Sequence, residues 1–220
     1  METTVQPLNP WTSIWFNPRK TIRYIVDTDV GYRVHLLAML AGVAQALDRA
    51  VSRDYGDSMP WYVVLLLAVM LGALGGLVNL YVGGAILRWV GGKLGGKATF
   101  AEVRAAIAWS SLPTIVGMVF PLIAIAFFRE EAFTSATPRL NAWVQQSDLN
   151  AVLVMMLGLV MVFGGMMMGI WQLVLLSKTL GEVNGFSAWR GLLTFLLPGF
   201  VLLLLIFIVF VLPQAIYIGP

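Results

Sequence analysis

Five apolar runs, each long enough or nearly so to cross a ~30 Å hydrocarbon core as a helix of ~20 residues, restrict this chain to a membrane architecture. They fall at about Tyr32–Val51, Trp61–Val82, Ala105–Phe128, Ala151–Leu176 and Gly191–Leu212. Residues are 59% hydrophobic and 11% charged, which excludes an ordinary soluble domain, whose charged share is about twice as large. Unpaired backbone groups are costly in lipid, and helices pair theirs within the segment. The predicted fold is therefore all-α, a polytopic membrane protein of five transmembrane helices. Residues 31–220 form one five-helix domain, preceded by a cytoplasmic, interfacial N-terminal segment at residues 1–30.

That segment reads as amphipathic. Trp11, Ile14 and Trp15 share a helical face, and Asn17-Pro18 reads as a cap and first helical position before Arg19, Lys20 and Arg23. The expectation is a helix lying on the membrane surface. No apolar core of signal-peptide length precedes the first span, so Met1 is expected to remain. Of 14 Lys and Arg residues, Arg19, Lys20, Arg23, Arg33, Arg88, Lys93, Lys97, Arg104, Lys178 and Arg190 fall on one side, with only Arg49, Arg53, Arg129 and Arg139 on the other. This asymmetry places the N-terminus in the cytoplasm and Pro220 outside. Charges spread over short connections orient spans and argue against nucleic acid as a partner.

The richest cytoplasmic feature is the turn after the second span. Unbroken from Trp61 to Val90, that helix would be ~45 Å long and would project beyond the bilayer or tilt. Gly91, Gly92, Gly95 and Gly96 are expected to break it beside Arg88, Lys93 and Lys97. Thr99 and Glu102 then have the spacing of a capping box, which starts the next helix. With Arg104 and the turn from Glu182 to Arg190, expected to lie alongside, these residues form a candidate docking surface. Its positive field suits anionic lipid head groups or an acidic face of a cytoplasmic protein, at about 1 kcal/mol per charge near an anionic membrane.

A second candidate site is intramembrane. His35, Gln45, Asn79, Trp109, Ser110, Ser111, Pro113 and Gln172 place polar groups, and a proline that frees a carbonyl, within the spans. Ser110 and Ser111 can bond local carbonyls or line a pocket. Two small-xxx-small pairs, Gly72 with Gly76 and Gly165 with Gly169, are expected at helix contacts within or between protomers. Leu140, Trp143 and Val144 predict a short surface helix on the far leaflet.

Catalytic sets are not found. Gly91–Thr99 nearly spells a phosphate-binding loop, but Ala98 stands where a magnesium-binding hydroxyl belongs and no strand precedes it. His35 is the single histidine and there is no cysteine, which leaves zincin motifs, histidine triads and thiolate metal sites without support. Asp48 has no facing aspartate for intramembrane proteolysis. The methionines from Met155 to Met168 point around a helix, as gap-fillers do, and do not converge on copper. No enzyme activity, metal or cofactor is expected.

A faint repeat is also visible: Phe100, Arg104 and Pro113 resemble Phe186, Arg190 and Pro198, each set following a glycine-containing turn. Asn9-Pro10-Trp11 with Ile14-Trp15 and Pro18-Arg19, the Gly-Gly turn into Phe100-Ala-Glu-Val-Arg104, Trp109-Ser-Ser-Leu-Pro113 and Glu182-Val-Asn-Gly-Phe-Ser187 resemble prokaryotic members of the Yip-domain family. The resemblance implies a five-span protein of a prokaryotic inner membrane. The family's eukaryotic relatives reside in Golgi and ER membranes, associate with one another and bind Rab-type GTPases, which implies homo-oligomers here. The N-terminal segment departs from those relatives in lacking their long arm and acidic motif, so GTPase binding is not carried over. The expected function is a non-enzymatic membrane organiser or adaptor; the alternative is a small transporter or channel for an ion, lipid or small molecule.

Overall fold

The computed structural model describes residues 8–211, and every regular element among them is helical. Leu212, the expected end of the fifth span, and Pro220 lie outside the described residues. Two short helices, α1 (Pro10–Phe16) and α2 (Pro18–Asp29), precede the spans. The first span is α3 (Val34–Ser52). The second runs unbroken from Trp61 to Lys93 as α4 (Trp61–Val78), a π turn (Asn79–Gly83) and α5 (Gly84–Lys93). The third comprises α6 (Phe100–Ser110), α7 (Leu112–Gly117) and α8 (Val119–Phe128), with a 3₁₀ turn to Phe133. After the surface helix α9 (Pro138–Val144), α10 (Asp148–Val183) and α11 (Ala188–Ile206) complete five helices long and apolar enough to cross a membrane.

Local chemistry accounts for the boundaries. Thr99 and Glu102 close the expected capping box: Glu102 N–H donates to Thr99 Oγ1 at 3.3 Å, and Thr99 N–H to Glu102 Oε2 at 2.6 Å. Gly91 and Gly92, expected to break the second span, are helical instead. Helical backbone tolerates them, and the stop comes at Gly95, whose φ of +87° an L-residue rarely adopts. Gly96 N–H then donates to Gly91 O at 2.8 Å and Gly95 N–H to Gly92 O at 3.1 Å, a Schellman cap. The α10 C-terminus repeats it around Gly185 (φ +74°), with Phe186 N–H to Gly181 O at 2.9 Å and Gly185 N–H to Glu182 O at 3.1 Å. The helix that carries Pro113 in its first turn begins afresh at Leu112, and Ser110 and Ser111 hydroxyls donate to the Ile107 and Ala108 carbonyls at 2.9 and 2.6 Å.

Packing is densest at the end of the bundle that carries both capped turns, here the basic end. Ile14, Ile22, Leu37, Val103, Trp109, Leu175 and Leu180 are buried there in one cluster. Thus α1 and α2, expected to lie on the membrane surface, bury their apolar face in the bundle, against α6 and α10. Trp109 meets the Trp11 ring edge-on at 5.2 Å, stacks on Tyr32 at 6.0 Å and donates its indole N–H to Tyr32 O at 3.2 Å. A smaller cluster around Val64, Ala124 and Phe133 closes the opposite end. Between them α3 and α4 meet backbone to backbone: a Cβ on Gly76 would fall against the Ala38 carbonyl, and one on Gly72 against the backbone of Gly42 and Val43. Gly165 and Gly169 have no such neighbour and face open space in the chain. On α10 the close approaches are instead at Gly164, under the Phe120 ring, and Gly181, against the start of α11.

Candidate functional site

The α5–α6 and α10–α11 turns are one structure. Asn184, 4% exposed, accepts the Lys97 backbone N–H on its carbonyl at 3.4 Å and anchors its own amide on Leu180 O at 2.9 Å. Its Oδ1 occupies the space that a Cβ on Gly91 or Gly96 would need, so glycine at both positions lets the turns touch. Around this joint Arg88, Lys93, Lys97 and Arg190 are exposed, with Lys93 Nζ 5.9 Å from the Trp89 ring centroid.

Two of the charges expected on this surface are engaged elsewhere. Arg104 lies between aromatic rings, its guanidinium 4.8 Å from the Phe100 centroid and 4.9 Å from that of Tyr81. Its Nε is buried and has no hydrogen-bond partner among the described residues. Glu182 faces α2: Arg23 Nε is 3.3 Å from its Oε1 and Arg19 Nη1 3.6 Å from its Oε2. Arg23 Nη2 also donates to Glu182 O at 3.0 Å, and Arg19 Nη2 to Phe186 O at 3.2 Å. The N-terminal helices are therefore pinned to the joined turns, and Glu182 is paired with Arg19 and Arg23 while Arg88, Lys93, Lys97 and Arg190 stay exposed. Asn184 and the Arg19–Arg23 clamp escaped the sequence reading. A lone acid in an otherwise basic turn was the available signal for the clamp.

The intramembrane residues divide. Gln45, Asn79, Ser110, Ser111 and Gln172 line a partly open cleft of about 680 Å³, which also reaches Arg49, Tyr55 and, on α11, Phe195 and Pro198. Gln172 Oε1 accepts from Thr114 Oγ1 across α7 and α10. Asn79 opens the π turn, a register change in which one extra residue is accommodated. His35, Trp109 and Pro113 lie outside the cleft. His35 Nε2 is 2.9 Å from Tyr81 Oη, Trp109 is fully buried at the basic end, and Pro113 is buried at the start of α7. Among the described residues, no three His, Asp or Glu side chains gather as a metal site would require.

The model of the Yip1 domain matches residues 12–210 of this chain, from the first turn of α1 to the end of the described helices. No curated protein and no solved structure matches it.

Proposed function

We propose that this chain, which belongs to the Yip1 domain family, is a non-enzymatic organiser or adaptor in the prokaryotic inner membrane that docks partners on its basic end. Ten of the 14 Lys and Arg residues lie on that side, which by the positive-inside rule faces the cytoplasm. The observation that carries the reading is the fusion of two turns through Asn184, with Arg88, Lys93, Lys97 and Arg190 exposed around it. A preformed cationic face loses little freedom on binding, which favours docking of an acidic protein surface or anionic head groups. Neutralising Lys93 and Lys97 together to Gln tests it, because Arg88 and Arg104 remain to hold topology. Loss of co-purified partner or anionic lipid from a correctly inserted variant is expected.

A second reading, a small transporter, draws on the cleft, which brings Gln45, Asn79, Ser110, Ser111 and Gln172 to one surface inside the membrane. It takes precedence if the double Lys variant keeps its activity while Asn79→Ala or Ser110→Ala abolishes it.

A further inference from the structure

Arg49 stands at the end of the cleft remote from the basic end, exposed, with its guanidinium donating to Gln45 Oε1 at 3.5 Å one turn deeper. Among the described residues it forms no ion pair. With Oε1 accepting from Arg49, Gln45 keeps both N–H₂ donors to offer. A cation and an amide donor together select a ligand that only accepts, and phosphate oxygens do so.

Below Gln45 the α3 wall is apolar, and so is the α4 wall as far as Gly76, while Asn79, Ser110, Ser111 and Gln172 add polar groups to the rest of the cleft. Its α3 wall runs over Ala46 and Gly42 to Ala38, 11 residues or ~16 Å at ~1.5 Å per residue, which is about the ~15 Å depth of one hydrocarbon leaflet. Leu71 and Gly75 face it from α4. The volume of about 680 Å³ lies in the range that one small ligand fills.

We infer that the cleft seats one acyl chain of an anionic phospholipid from the leaflet at the Arg49 end, with the phosphate held by Arg49 and Gln45. This site is separate from the docking face, at the other end of the bundle, and stands whether or not that face binds a partner. It also differs from a transport route in that the lipid stays in its own leaflet.

Gly75 allows a test that spares the fold, because a Cβ there meets nothing within 4 Å although the residue lines the cleft. The full chain, purified in detergent, is titrated with phosphatidylglycerol and with phosphatidylcholine of the same acyl chains, and bound lipid is counted by native mass spectrometry. Gly75→Leu should leave thermal unfolding unchanged and weaken both lipids about tenfold by filling the slot. Arg49→Gln should weaken phosphatidylglycerol about tenfold and abolish its advantage over phosphatidylcholine, the loss of a charge-assisted hydrogen bond. Undiminished binding in either variant overturns the assignment, as does a wild-type dimer that Gly75→Leu dissociates.

Discussion

Arg23 grips Glu182 across 159 residues of sequence at two points, its Nε 3.3 Å from the carboxylate and its Nη2 3.0 Å from the backbone carbonyl. With Arg19 on the other carboxylate oxygen, this clamp fixes α2 over the α10 C-terminus. Glu182→Ala removes the carboxylate contacts and leaves two cations beside a helix end. It should lower thermal stability by the equivalent of about 1–2 kcal/mol, given that the groups are partly exposed. The loss should be local: amide exchange of residues 10–29 should accelerate while α3 and α4 keep their protection. Uniform exchange across the whole chain would show that the clamp does not hold α2 separately.

The clamp also marks where sequence reasoning stops. An amphipathic pattern such as Ile14, Ile22 and Ile25 specifies an apolar face, and that face reads the same whether it meets lipid or protein. The five spans and the Thr99–Glu102 box were legible because length, hydropathy and capping are local properties. Choosing between Gly164 and Gly165 on α10 was not. The helix is apolar all round there, and adjacent residues differ by only about 100° of rotation, so composition gives no facing direction. For His35 and Trp109 the residue type pointed to a buried polar group, but depth decided the outcome: both sit at the basic end, beyond the cleft.

The α3–α4 seam gives a second expectation. Gly76→Leu places a side chain against the Ala38 carbonyl and should cost several kcal/mol, seen as loss of monodisperse protein or a large fall in unfolding temperature in detergent. Gly165→Leu enters open space in the chain and should behave as wild type in a monomer. A comparable loss at Gly165 would instead locate an interface between protomers on α10.

At the joined turns, Gly96→Ala drives a Cβ into the Asn184 side chain and should destabilise the protein by about 1–3 kcal/mol. Shortening the obstacle should rescue part of this, so Gly96→Ala with Asn184→Ala should lose less than the two single changes added together. Strict additivity in thermal unfolding would mean that the turns are not in contact. Gly95→Ala is a control with a different origin, about 1 kcal/mol of backbone strain at φ +87° that no change at Asn184 relieves.

Orientation can be read directly because the chain contains no cysteine. Single thiols at Lys93 and Ala136, both exposed and at opposite ends of the bundle, report on the two sides. An impermeant maleimide added to intact cells, with outer-membrane access provided, should label the Ala136→Cys protein and spare Lys93→Cys until the membrane is opened.

The claim that the basic face is a docking surface is tested most directly by a photo-crosslinking residue at Gly92, which lies beside Lys93 and has nothing within 4 Å of its Cβ position. Irradiated cells should give discrete crosslinked products, and Lys93→Gln with Lys97→Gln should abolish them without changing protein level or thiol-labelled topology. Products that persist in the double variant at wild-type intensity would contradict the account.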